Sequence, residues 1–399
     1  MITPGYPPVA RFAKRITRTS PKSYGMYDMA RRMPDQADLI HLELGRPCYD
    51  TPRHIKDAAI ASLLAGNVHY SDMQGSLALR EAIAHRTTSR HGVATSPSEV
   101  LVANGLTQAS FAMFMALIDD GDEVIVLDPY YPQHLGKIEL AGGVPVHVPL
   151  DRSADFAIDA ERIEAMVNAR TRMIVLVNPN NPTGRVHSRG ELEALSQVAI
   201  RHDLWVASDE VYEQIVYDGH RHLSIASLSG MAQRTITLCA FTKAYAMDGW
   251  RLGYAIASAP VIQAMMKITT SEVTHVNTFI QDGGVAALQG PQEPLQEMLR
   301  ADLAKRDLVV ERLNAMPGIR CRPPQATIYA FPDISETGLG SQVLARHLLE
   351  HAHVVVESGD FYGRSGEGCL RICFGAQPLD RLAEAMDRIE RSLRELPAG

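Results

Sequence analysis

Seven short apolar runs constrain this chain most: EVLVANG (99–105), EVIVLDP (123–129), VPVHVPL (144–150), RMIVLVNP (172–179), LWVASDE (204–210), TITLCAF (235–241) and LGYAIAS (252–258). Val, Ile and Leu dominate them without strict alternation, the pattern of strands covered on both faces. Stretches of helical period lie between them. TQASFAMFMALIDD (107–120) spaces its apolar residues by three and four, and SRGELEALSQVAIRHD (188–203) opens on a serine with a glutamate three residues on, a capping box. Such alternation predicts an α/β fold: a mainly parallel seven-stranded sheet with helices on both faces. Sheets of this kind bind ligands at the carboxyl ends of their strands.

The texture changes near residue 290. PQEPLQEMLRADLAKRDLVVERLNAM (291–316) reads as one long helix or a helix pair. Strands follow near 326–333, 353–357 and 369–374, then a closing helix, LDRLAEAMDRIERSLREL (379–396). The expectation is a large cofactor-binding domain over 46–290, with 1–45 and 291–399 forming a smaller α+β domain.

A net charge of −7 lacks the basic excess of a nucleic-acid binder. No apolar run reaches the length of a membrane span. The five cysteines show no CxxC spacing, so neither a disulfide framework nor a zinc ribbon is expected. Free thiols suit a reducing compartment. MITPGYPPVARFAKRITRTS has no apolar signal core, and Pro4, Pro7 and Pro8 interrupt any amphipathic leader. The reading is a cytoplasmic protein with no nucleic-acid partner, no membrane span and no metal; HRH (220–222) matches no metal motif.

Polar residues gather at the strand ends. Asn104 and Gly105 stand at the end of the first run, Asn178, Asn180 and Asn181 at that of the fourth, Asp209 and Tyr212 at that of the fifth, and Thr242 and Lys243 at that of the sixth. In TKAYAMDGWRLGY (242–254), Lys243 and Arg251 stand among apolar residues, where an unpartnered charge is costly. A helix N-terminus after NGLT suits a phosphate, and Arg251 adds a planar donor fork. Lys243 can form a Schiff base, Asp209 can hold a protonated ring nitrogen, and Tyr212 and Asn181 can donate to a phenolate. A ligand with a phosphate, a carbonyl, a phenolate and a pyridine nitrogen is pyridoxal phosphate.

Over roughly residues 40–375 the chain resembles the class I/II aminotransferases, enzymes of the fold-type I pyridoxal phosphate group. AFTKAYAMDGWRLG (240–253) is similar to the family's lysine motif SxSKxxxMxGWRxG. LELGRPCYDTP (42–52), HYSDMQG (69–75), NGLTQA (104–109), NPTG (181–184), DEVY (209–212) and LRICF (370–374) occur in the family's order. The resemblance implies that Lys243 is the Schiff-base lysine and proton shuttle, and that Asp209 pairs with the pyridine nitrogen. Tyr212 and Asn181 would donate to the phenolic oxygen, and Tyr131 would stack on the ring. Gly105, Leu106, Thr107, Thr242 and Arg251 would hold the phosphate. Arg371 would bind the substrate carboxylate, assisted by Gly45 and Asn181. Tyr70 would reach the cofactor of a neighbouring subunit, which implies a homodimer with shared active sites.

The implied reaction is transamination between an L-amino acid and a 2-oxo acid. Ala240 stands where the family has serine, Asp248 where a small or neutral residue is common, and Ala326 and Ile328 replace its glycine and phenylalanine. These departures motivate a second reading, elimination, cyclisation or oxidation of an amino acid on the same fold. A third, a non-enzymatic effector-binding protein, keeps the fold alone. Arg31, Arg32 and SEVTHVNTF (271–279) are candidates to line the side-chain pocket.

Overall fold

A computed structural model describes residues 12–19, 25–33 and 37–395. Pro4, Pro7 and Pro8 and the last residue of the expected closing helix lie outside it. The seven runs form one sheet: β1 (Val100–Ala103), β2 (Glu123–Asp128), β3 (Val144–Pro149), β4 (Thr171–Val177), β5 (Trp205–Asp209), β6 (Thr235–Ala240) and β7 (Gly253–Ile256). Their order is β1-β7-β6-β5-β4-β2-β3. All pairings are parallel except those of β7, which runs antiparallel to both β1 and β6.

Leu101, Val124, Val126, Val175 and Leu238 turn to one face of the sheet, against the helices Leu106–Leu117 and Ala259–Glu272. Ile125, Leu127, Ile174, Leu176 and Val206 turn to the other, against Arg189–Arg201. The capping box of that last helix forms as expected, with Ser188 accepting from Glu191 N–H and the Glu191 carboxylate accepting from Ser188 N–H.

One strand departs from its reading. Val144–Pro149 is not covered on both faces; only Val148 of its residues is buried. It lies at the sheet edge, where Pro145 and Pro149 cost little because no further strand needs their N–H groups.

Glu293–Asn314 is one continuous helix of 22 residues. It packs with the closing helix Leu379–Arg394 over a separate core that includes Met26, Ile40, Leu42, Val309, Leu344, Val354, Ile372 and Met386. Short strands Tyr329–Ala330, Glu357–Ser358 and Leu370–Cys373 form a second sheet there, and Ile40–His41 pairs with Val354–Val355. Tyr212, Ile215 and Tyr217, from the loop after β5, enter the same core.

Candidate active site

The carboxyl ends of β1, β2, β4, β5 and β6 open onto a cleft of about 1030 Å³. Into it come Leu106, Thr107, Tyr131, Asn181, Asp209, Tyr212, Thr242, Lys243 and Arg251 from the sheet edge, and Gly45 and Arg371 from the other core. Gly105 stands behind this wall. Its φ of +81° turns the chain sharply from β1 into the helix Leu106–Leu117, whose N-terminus no side chain caps. A Cβ at Gly105 would overlap the Arg251 guanidinium. One at Gly253 would lie 2.7 Å from Leu106 N, so the two glycines let β7 approach the helix start.

Lys243 and Arg251 are not lone buried charges. Lys243 is half-buried and donates to Gly45 O; Arg251 is exposed at the cleft wall and donates to Asp248 O at 2.9 Å. Arg251 also has a φ of +55°, which a non-glycine residue adopts only where its surroundings impose it.

Asp209 is 4% exposed. His134 Nε2 lies 3.2 Å from its Oδ2, and burial pushes the His134 imidazole down. Lys137, one turn on, is pushed down by burial to about 8. Tyr212 OH lies 2.7 Å from Tyr329 OH, and burial raises the Tyr212 phenol well above its ordinary value.

Arg371 donates to Glu43 O and, at 3.3 Å, to Asn181 Oδ1, while its buried Nε has no partner. Its guanidinium lies 4.4 Å from the Tyr329 ring centre and 4.8 Å from that of Tyr362. Burial works against its charge, but Tyr362, Tyr329, Cys373 and Glu357 outweigh it and hold the pKa above the usual arginine value. Glu357 accepts from Met26 N–H and Ser358 N–H, and burial raises its carboxyl to about 7.

These groups suit a ligand that is anionic at two ends and has a basic ring nitrogen. The uncapped helix start and Arg251 answer a phosphate, the Asp209 carboxylate a protonated ring nitrogen, and Arg371, with its unpartnered Nε, a carboxylate.

Tyr70, which the sequence reading assigns to a neighbouring subunit's cofactor, is 87% exposed and stacks on His275 at 4.5 Å, outside this chain's own cleft. Arg31, Arg32 and 271–279 do not line the cleft either. Ala326 and Ile328 do not line it; Ile328 packs into the second core, and the next residue, Tyr329, is the one that reaches Arg371. His134, Tyr329, Glu357 and Tyr362 were missed. Of these, only Tyr329 adjoins a departure from the family pattern, at Ile328.

Beneath the loop after β5, His222 Nε2 and Glu210 Oε2 lie 2.9 Å apart, and His91 Nε2 and Glu213 Oε2 2.5 Å. Among the described residues, His91, Glu213 and His222 are close enough to share an ion. Arg86, 3.6 Å from Glu213, already supplies positive charge there. Burial works against the Glu213 carboxylate, but His91 and Arg86 outweigh it and hold it down at about 2.

Residues 37–389 match the family model described as aminotransferase class I and II. An aspartate aminotransferase of Musicola paradisiaca is 36% identical over 98% of both chains. An arginine–pyruvate transaminase of Pseudomonas aeruginosa is 37% identical over 96% of this chain and 98% of its own. The crystal structure of the aspartate aminotransferase from Rhizobium meliloti superposes with a TM-score of 0.92 at 34% identity, covering 98% of this chain and all of that one.

Proposed function

The chain belongs to the class I and II aminotransferase family, and on that premise we propose that Lys243 is the residue through which it moves an amino group from an L-amino acid to a 2-oxo acid. The cofactor is pyridoxal phosphate, which when bound supplies an electrophilic carbonyl and an electron-withdrawing ring that makes the substrate α-proton acidic. The observation that carries the reading is the convergence of Lys243, Asp209 and Arg371 on one cleft.

Arg371 receives the substrate α-carboxylate in a fork that Asn181 and the two tyrosines hold in place. Lys243 Nζ, released from Gly45 O, takes the α-proton and returns it on the cofactor side. Asp209 would pair with the ring nitrogen, with His134 fixing its orientation. Tyr212 and Asn181 would donate to the phenolic oxygen, Tyr131 would lie against the ring, and Gly105 to Thr107, Thr242 and Arg251 would hold the phosphate.

The enzyme is proposed to act as a homodimer. Ile60, Leu64, Val68, Tyr70, Met73 and Val273 expose apolar surface around the helix Arg53–Leu64, an uncommon load for a monomer face. Tyr70 on that face would reach the neighbouring subunit's cofactor. Residues 46–290 would form the large domain, with 1–45 and 291–399 the small one, in keeping with the separate core that Met26 to Leu42 share with Val309 to Ile389. A cytoplasmic setting fits five free cysteines. Among the described residues no helix is long and apolar enough to cross a membrane.

The test supplies a panel of amino acids with a 2-oxo acid acceptor and measures both products. Amino acid consumed should equal new amino acid formed, and Lys243→Ala should lower the rate by about 10²–10⁴-fold or more. Ammonia release or oxygen uptake without amination of the acceptor would instead establish elimination or oxidation.

A further inference from the structure

Four of the five cysteines are sealed in the interior. Burial pushes their thiols up: Cys321 and Cys369 to about 12, Cys373 to about 11 and Cys239 well above its ordinary value. Cys48 is exposed, three residues beyond Gly45 on the loop that leaves the cleft. Its Sγ accepts a hydrogen bond from Lys305 Nζ at 3.0 Å.

Lys305 is 3% exposed on the helix Glu293–Asn314. Asp302, one turn back, lies 3.3 Å from its amine, and the Tyr49 ring covers it at 4.2 Å. Tyr49 OH donates to the same Asp302 oxygen at 2.6 Å. Asp302 answers the lysine's charge, so the sulfur is not needed as its counter-ion. Packing nevertheless holds an oxidant-accessible sulfur against a sequestered amine, from positions 257 residues apart.

We propose that Cys48 and Lys305 form a covalent bridge under oxidation, one oxygen atom joining Sγ to Nζ, with hydrogen peroxide as the oxidant. The 3.0 Å gap favours a bridging oxygen over a direct sulfur–nitrogen bond, which needs a closer approach. One peroxide converts the thiol to a sulfenic acid and leaves as water. The lysine passes its extra proton to Asp302 Oδ1, 3.3 Å away. A second peroxide displaces water from the sulfenic acid at the exposed sulfur, leaving a sulfur-bound hydroperoxide. The neutral amine attacks its sulfur-side oxygen, the O–O bond breaks, and a third water leaves. In sum, one thiol, one neutral primary amine and two peroxide molecules give one S–O–NH bridge and three waters. Sulfur and nitrogen are each oxidised by two electrons, and both peroxides are reduced. The bridge pins the Gly45–Cys48 loop to the helix, and Gly45 O is the acceptor of the Lys243 amine, so oxidation is read at the cleft.

Cofactor-loaded enzyme is exposed to hydrogen peroxide and analysed by intact mass and by peptide mapping without reductant. The expected result is a gain of one oxygen less two hydrogens, a peptide pair linking Cys48 to Lys305, and reversal by dithiothreitol. Cys48→Ser and Lys305→Arg should each abolish the linked pair. Unmodified Cys48, a sulfenic or sulfinic acid beside free Lys305, a Cys48 disulfide between two chains, or loss of two hydrogens alone would each overturn the bridge. So would a linked pair that survives Lys305→Arg.

Discussion

Glu357 is a carboxyl that the cleft holds against its charge. Burial raises it from 4.5 to about 7, although Arg371 and the N–H groups of Met26 and Ser358 favour the ionised form. An acid with a raised folded-state pKa gives its full stabilisation below 4.5 and loses it as pH rises through about 7. Over that window Glu357 should cost the fold about 3 kcal/mol. Glu357→Gln should flatten this part of the profile, read as urea midpoints at about pH 5 and about pH 7.5; an equal gap from wild type at both pH values would refute it. Lys243, Asp209 and Arg371 were legible in the sequence because each sits in a motif whose residues act together. Glu357 and Tyr362 were not, because their meaning comes from Arg371 across a sheet pairing and a ring contact that no local spacing announces.

The turn from β1 into Leu106–Leu117 shows how an element makes a site. Gly105→Ala would strain a positive φ and push a methyl into Arg251. The expected result is cofactor affinity weakened by at least about tenfold, or about 1.4 kcal/mol, with the far-ultraviolet spectrum unchanged; titration of apoenzyme with pyridoxal phosphate measures it. Helix boundaries were readable where capping chemistry was written locally, as at Ser188 and Glu191. The exposure of β3 was not, because VPVHVPL is as apolar as a central strand and only the sheet order makes it an edge.

Across the whole molecule, the apolar surface around Leu64 and Tyr70 decides whether one chain suffices. Leu64, 83% exposed, is free to change without disturbing this chain's own core. Leu64→Asp should shift sedimentation velocity toward the monomer and lower activity in step; a fully active monomer would remove the case for shared sites. Sequence alone pointed to a second subunit only through Tyr70, since a surface patch is assembled by folding and has no linear signature.

β6 and β7 are direct neighbours, paired from Thr237 with Ile256 to Ala240 with Gly253. The segment from Phe241 to Leu252 is therefore a closed span, both ends fastened by the same ladder. Its length sets the separation between Lys243, the proposed catalytic lysine, and Arg251, the proposed phosphate partner. An outer loop tolerates added residues at small entropic cost. This one works as a gauge: one residue more would leave the ladder whole and the core filled, yet deliver the amine to the wrong place.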